Sequence, residues 1–504
     1  MECPKAQAKP LCMPNSDSDW ECPTSMFDTV ALHTYCVPES DDVAKFFSQV
    51  YAQMDENNNF GKFINDIQNC WQAIVIMTFG ALVISAVYIF LLKWITKPLL
   101  YVSMVLILLF FLLLGGWAWI QRSKYDPETE QKNHQYATIG AGVSWSFAAI
   151  YACFICCCWS KISLGASIME AASDFVSSNL RVIALPVISY TLVFVYFLYW
   201  IVTAIHLYSI GEPEFQPASP IANIKWESQT WYMMWYFLFC LFWCVAYIIC
   251  LQQFMIAAMV CMWYFSGQGA KMSDVTGEVS MLKAMHWGTW YHCGSIAFGS
   301  FVIALVTMIR VVFEYIVKQY EAAGQKDNCV FKMITGCVRC VLYCLDKYVK
   351  FITKNAYIQI ALHNKNFCGA AWESFFLIIR HAGRFGSAAI IGWIMMMLGK
   401  GTIMASSAYA TILLVSYKFE MVQQPFIPAL IVALIAYVIG SLFLSIFSFS
   451  CTAILHCFLL DEDTGGSGNS PHSLQSFLEY NDSYNATQDA KKSEEAKKKA
   501  DEKE

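Results

Sequence analysis

The sequence predicts an all-α, polytopic integral membrane protein, a helical bundle of about nine transmembrane helices. Of its 504 residues, 57% are hydrophobic and only 14% are charged, whereas a soluble domain carries about 25% charge. Apolar runs of roughly 20 residues, long enough to cross about 30 Å of hydrocarbon, recur along the chain. The runs are apolar on every side and do not alternate, which favours membrane helices over a closed barrel.

Eight confident spans and one weaker candidate follow from these runs. The weaker segment, Asn366–Ile379, is shorter and carries more polar residues. The eight confident spans are Trp71–Leu92, Leu99–Ile120, Tyr136–Trp159, Val182–Leu207, Trp231–Phe265, Gly288–Ile309, Gly386–Val415 and Pro428–Leu460.

Composition divides the chain into three regions. Residues 1–70 form a polar, Cys-containing extramembrane segment, residues 71–460 form the membrane domain, and residues 461–504 form a polar, charged tail. The tail ends in KKSEEAKKKADEKE. This run has no apolar face to dock on its own chain, so we expect residues 480–504 to contact a neighbouring protein.

Several classes of function are disfavoured by the sequence. The net charge of −5 provides no basic field for nucleic acid. The chain has no P-loop, GxSxG, HExxH or Rossmann fingerprint, so we predict neither an enzyme nor a cofactor. Cys337, Cys340 and Cys344 share one helical face, but zinc would want a fourth ligand. We therefore predict no metal site and interpret these thiols as packing residues or lipid-modification sites on a membrane-surface helix.

Three segments carry a resemblance to a known family. Lys354–Arg380 has the sequence KNAYIQIALHNKNFCGAAWESFFLIIR, Gly294–Arg310 has GSIAFGSFVIALVTMIR, and Ser445–Asp463 has SIFSFSCTAILHCFLLDED. In order and spacing they resemble the choline transporter-like family (solute carrier family 44) over roughly residues 70–463. The positions that carry the signature are Asn355, Tyr357, Lys365, Asn366, Phe367 and Cys368.

The resemblance implies transport of choline or a related small organic cation such as ethanolamine, with proton coupling as an option. It also implies a plasma-membrane protein surrounded by lipid, with the mitochondrial inner membrane as a close alternative. The family's first helix has no counterpart here, so its ten helices become nine. The alternative function is therefore a shortened homologue that serves as a structural subunit of a larger membrane complex.

Candidate substrate-binding residues come from aromatic and charged side chains in the apolar runs. A quaternary ammonium ion is attracted to aromatic faces, which points to Trp263 and Tyr264 in the CMWYF element; the alternative is an interfacial aromatic belt. Charged groups are costly to bury in lipid, which points to Glu373, Arg380 and Lys400. The alternative for these three is snorkelling or ion pairing near the interface.

Five cysteines lie in or next to the N-terminal region. Family precedent favours disulfides there, which implies an oxidising compartment. Because five is odd, at least one is free or pairs elsewhere. The disulfide candidates are Cys3, Cys12, Cys22, Cys36 and Cys70.

The segment Gly324–Asn355 is rich in basic residues, and the positive-inside rule places it on the cytoplasmic or matrix-like face. Strict alternation of the spans from an external N-terminus places it on the opposite face. The sequence leaves this conflict open.

Overall fold

A computed structural model describes most of the membrane domain and short parts of the N-terminal region and the tail. The described residues are 13–14, 20–21, 29–32, 35–38, 59–125, 131–157, 159–214, 223–266, 279–322, 329–418, 425–464, 471 and 474–475. Their α-helices are α1 (Asn59–Arg122), α2 (Gln131–Cys157), α3 (Trp159–Ser178), α4 (Ala184–Tyr208), α5 (Ser228–Phe265), α6 (Met281–His286), α7 (Cys293–Tyr320), α8 (Cys329–His363), α9 (Phe367–Arg380), α10 (Ala382–Lys418) and α11 (Phe426–Asp463).

Short strands pair locally as antiparallel hairpins. A 3₁₀ turn, Leu180–Ile183, precedes α4, and a π-helical turn, Trp287–Tyr291, precedes α7. The strands are β1 (Met13–Pro14) with β2 (Trp20–Glu21), β3 (Thr29–Leu32) with β4 (Tyr35–Pro38), and β5 (Glu212–Glu214) with β6 (Asn223–Lys225).

The predicted membrane spans are confirmed as helices. Eight helical segments of the described residues are long and apolar enough to cross a membrane, and each overlaps one confident prediction. The first two both lie in α1, a helix of 64 residues that contains Pro98. The ninth predicted span corresponds to α9, whose 14 residues fall short of the roughly 20 that a span requires.

The chain groups into two compact units. One unit comprises Met1–Gly80 and Ala405–Ile435. Its described buried residues include Cys70, Ala73 and Val415, against which Ile74 and Leu414 pack.

The second unit comprises Ala81–Met404 and Ala436–Glu504. Within it, α5 packs against α4, α7 and α8, and α8 packs against α9. The core of this unit includes the fully buried side chains of Phe254, Trp263, Tyr264 and Tyr357.

The junction between α8 and α9 is built by two asparagines. Asn364 adopts a left-handed backbone with φ of 54°, a conformation that asparagine tolerates and that ends helices. Asn366 then caps α9, because its side-chain Oδ1 accepts a hydrogen bond from the Gly369 amide at 3.1 Å. The sequence HNKN therefore forms a sharp stop and restart between two helices.

Candidate functional site

A cavity of about 650 Å³ opens among helices of the second unit. Its walls come from α4, α5, α7, α8 and α11. A volume between about 300 and 1,000 Å³ is typical of sites for small molecules. The cavity is thus a candidate ligand site among the described residues.

Most of the cavity wall is apolar or aromatic. Tyr190 and Phe197 of α4, Phe242 of α5 and Phe449 of α11 border it. Aromatic faces carry partial negative charge, so they attract a cation that cannot itself donate hydrogen bonds. This part of the wall fits a quaternary ammonium group.

Polar groups of α5, α7, α8 and α11 border the cavity. Gln252 is only 5% exposed, and its Oε1 has no hydrogen-bond partner among the described residues. Gln253, Thr307 and Ser445 also border the cavity. A buried amide oxygen without a partner is costly, and a bound ligand or water would remove this cost.

Two lysines of α8 border the cavity, and they differ in their partners. Lys350 Nζ lies 2.8 Å from Asp346, whose carboxylate also lies 3.5 Å from Arg310 Nη1. Lys354 has no carboxylate within ion-pair distance in the part of the chain that the structure describes. No Asp or Glu borders the cavity either. Lys354 is therefore the uncompensated charge of the site.

The protonation of Lys354 is weakened by its surroundings. The side chain keeps accessible surface because it faces the cavity, although protein atoms surround it. Burial lowers the pKa of Lys354, a negative charge on the nearby Cys250 sulfur would raise it, and the like charges of Lys347 and Lys350 lower it. The ammonium group thus gives up its proton more readily than an ordinary lysine.

The signature residues position α8 against α7. The hydroxyl of Tyr357 donates to the carbonyl of Ile296 at 3.2 Å. The ring of Phe367 lies 6.1 Å from Tyr357 and 5.4 Å from Phe298, centroid to centroid. Gly299 of α7 allows this approach, because a Cβ there would clash with the Tyr357 hydroxyl and the Phe367 ring.

The remaining signature residues have structural contacts or lie at the surface. The buried side chains of Asn355 and His456 share a hydrogen bond of 2.9 Å, in which His456 Nε2 donates to Asn355 Oδ1. Lys365 forms an ion pair with Glu373. Cys368 is exposed. None of these groups borders the cavity.

Trp263 and Tyr264, the aromatic candidates from the sequence, lie outside the cavity wall. Trp263 is 1% exposed, and the centroid of its ring lies 5.7 Å from that of Phe175 of α3. The Tyr264 hydroxyl donates to Asp461 Oδ2 at 3.4 Å.

The charged candidates also lie away from the cavity. Glu373 pairs with Lys365, and Arg380 Nη1 lies 2.8 Å from Asp463 Oδ2. Lys400 lies over the ring of Tyr437, 5.5 Å from its centroid. The structure does not bring the five candidates together, although Tyr264 and Arg380 both contact the acidic end of α11.

The cavity residues were missed as a site by sequence reasoning. Two signals pointed toward them. Gln252 and Gln253 form a polar pair inside an apolar span, which is a functional signal in membrane helices. Lys354 is the first residue of the signature segment.

The apolar spanning helices define a polytopic membrane protein, and the aromatic cavity lies among them. Residues 142–463, which include every residue of the cavity wall, match the family model described as plasma-membrane choline transporter. The chain belongs to this family, whose activity is transport and not catalysis, and it is an integral membrane protein.

Individual relatives agree with the family assignment. Choline transporter-like protein 1 of Rattus norvegicus is 25% identical over 431 residues, which cover 83% of this chain and 64% of the rat protein. Choline transporter-like protein 3 of Bos taurus is 24% identical over 459 residues, which cover 89% of this chain and 69% of the bovine protein. The matched part thus spans less than two thirds of the rat relative's length.

Proposed function

We propose that this chain carries choline or a related small organic cation such as ethanolamine across a membrane, through the cavity bordered by Tyr190, Phe197, Phe242 and Phe449. The observation that supports the proposal most directly is that this aromatic cavity lies wholly within the segment matching the choline transporter family. Cation–π contacts are worth roughly 0.5–2 kcal/mol each, depending on desolvation. Several such faces provide enough attraction for a weak, exchangeable substrate.

Lys354 ties cation binding to its own protonation state, because a charged lysine repels a bound cation. Two unit charges about 4 Å apart interact by roughly 4 kcal/mol at an effective dielectric constant near 20. That repulsion corresponds to about a thousandfold in affinity. We infer that the organic cation binds when Lys354 is neutral, so that a proton leaves as the cation enters.

The expected pH dependence follows from this exchange. Protons and organic cations compete for the site, so cation affinity rises as pH rises through the pKa of Lys354. The surroundings lower that pKa, which brings the exchange closer to physiological pH.

Transport is tested with purified protein in sealed vesicles and labelled choline. We expect saturable uptake that ethanolamine competes with and that an outward proton gradient changes. Absence of both uptake and binding in correctly inserted protein would contradict the carrier proposal.

The role of Lys354 is tested by Lys354→Met, with Lys332→Met as the matched control. Lys332 is an exposed lysine of the same helix that does not border the cavity. We expect Lys354→Met to bind choline with nearly the same affinity from pH 6 to 9, while Lys332→Met keeps the wild-type pH dependence. A wild-type pH dependence in Lys354→Met would refute proton exchange at this residue and leave cation transport to be judged by the uptake experiment.

A second proposal is a structural role as a subunit of a larger membrane complex. The charged sequence of residues 480–504, which lie outside the described residues, supports it because such a run suits a protein partner. Purification from native membranes as a stoichiometric complex, together with an absence of choline binding, would favour this role. We place the protein in the plasma membrane, with the mitochondrial inner membrane as the alternative, and cell fractionation decides between them.

A further inference from the structure

Helix α8 has two faces with different chemistry, and one of them packs against α7. On this inner face Arg339 donates to both carboxylate oxygens of Glu314, with each distance 2.8 Å. Asp346, which is buried, faces Arg310 on the same neighbour. The inner face of α8 is therefore held against α7 by ion pairs.

The opposite face of α8 is an exposed apolar stripe that contains three thiols. Met333 is 64% exposed, Val341 65% and Tyr348 50%. A spacing of three, four or seven residues places side chains on the same side of a helix. We call this face the outer stripe; its members are Met333, Ile334, Cys337, Cys340, Val341, Cys344, Tyr348 and Phe351.

The three cysteines lie within the outer stripe and not beside it. Cys337 is four residues from both Met333 and Val341, and Cys344 is four residues before Tyr348. All three cysteines are exposed. The stripe thus presents thiols among large apolar side chains on a surface that the described residues leave exposed.

The surroundings of the outer stripe fit the boundary of a membrane. The neighbouring helix α7 is one of the eight candidate spans, so α8 runs beside a membrane helix. Exposed Lys347, three residues after Cys344, lies at the edge of the stripe. Amphipathic helices with basic flanks lie at the boundary of headgroups and acyl chains, where anionic lipids attract the basic side chains.

We propose that Cys337, Cys340 and Cys344 are S-acylation sites, where long-chain acyl groups anchor α8 to the membrane. Cysteines on amphipathic or juxtamembrane helices are the usual substrates of reversible S-acylation. In the reaction the thiolate Sγ attacks the carbonyl carbon of an acyl thioester donor. A new thioester forms on the cysteine, the donor's C–S bond breaks, and the donor leaves as a thiol that takes up the proton lost by the cysteine.

The proposal is tested on the full chain expressed in cultured eukaryotic cells. Free thiols in isolated membranes are blocked, thioesters are cleaved with hydroxylamine, and each released thiol receives a mass tag. We expect hydroxylamine-dependent tags on the wild-type protein and their loss in Cys337→Ser/Cys340→Ser/Cys344→Ser. The matched control is Cys293→Ser/Cys368→Ser, which removes two exposed thiols outside the outer stripe and should keep all tags.

Two results would overturn the proposal: no hydroxylamine-dependent tag on the wild-type protein, or the same number of tags on the triple variant. If the triple serine variant does not accumulate in membranes, the single variants Cys337→Ala, Cys340→Ala and Cys344→Ala decide. Each should lose one tag, and an unchanged number of tags in all three would refute the assignment.

Discussion

Gly299 offers the sharpest test of how the signature segment holds the second unit together. It lies where α7 and α8 approach each other closely, opposite the hydroxyl of Tyr357 and the ring of Phe367. The Tyr357 hydroxyl has little freedom to move, because Tyr357 is fully buried and hydrogen-bonded to Ile296. We predict that Gly299→Ala forces the two helices apart.

The magnitude follows from three effects. Overpacking of a tight contact lowers the free energy of unfolding by about 1–3 kcal/mol. Loss of the hydrogen bond between Tyr357 and Ile296 removes about 0.5–1.5 kcal/mol more. Because alanine favours a helix more than glycine does, the substitution also restores up to about 1 kcal/mol of the lost stability. The net destabilisation is about 0.5–4.5 kcal/mol, equivalent to a thermal midpoint lower by roughly 0.5–5 °C for a chain of this length.

The assay is the thermal unfolding midpoint of detergent-solubilised protein, with Gly294→Ala as the matched control. Gly294 lies on the same helix, and a Cβ there meets no atom within 4 Å. Adding Tyr357→Phe to Gly299→Ala should recover part of the loss, because it removes one clashing atom. If Gly299→Ala and Gly294→Ala unfold at the same temperature, the close approach of the two helices does not limit stability.

Three further predictions concern the cavity and the two ends of the chain. Phe242→Leu should weaken choline binding by roughly tenfold, since it removes a cation–π contact of about 1–2 kcal/mol. If Trp263→Ala loses as much affinity and Trp263→Phe does not, Trp263 also belongs to the site. If all forms of Trp263 bind choline equally well, Trp263 is a packing residue. Mass mapping without reduction should find at least one disulfide, worth about 2–4 kcal/mol, among the N-terminal cysteines, and five free thiols would exclude it; the cysteines are Cys3, Cys12, Cys22, Cys36 and Cys70. Protease should cleave residues 480–504 more slowly in native membranes than in the isolated chain, and equal rates would argue against a bound partner.

The membrane helices could be predicted because hydrophobic length is a property of the local sequence. Each confident span needed only about 20 consecutive apolar residues. The same property hides the cavity. Helix α5 is apolar on all sides, so its sequence does not indicate which face meets α4 and which meets α8.

The candidate site residues also show what sequence-based prediction could not supply. Trp263 has the chemistry expected for a cation site, yet its ring packs against Phe175, almost 90 residues earlier in the chain. Arg380 has the charge expected for a polar pathway, yet its partner is Asp463. Residue type predicts what a side chain can bind, whereas long-range packing decides which partner it meets. Sequence spacing alone carries little information about that packing.

The acidic end of α11 has a mechanical consequence for the cavity. Asp461, Glu462 and Asp463 tie this end to α5, α10 and α9 through Tyr264, Arg384 and Arg380. The same helix borders the cavity at Phe449, 12 residues or about 18 Å before the tie. Because the tie and Phe449 lie on one continuous helix, we expect the tie to limit how far Phe449 can move when a ligand enters the cavity.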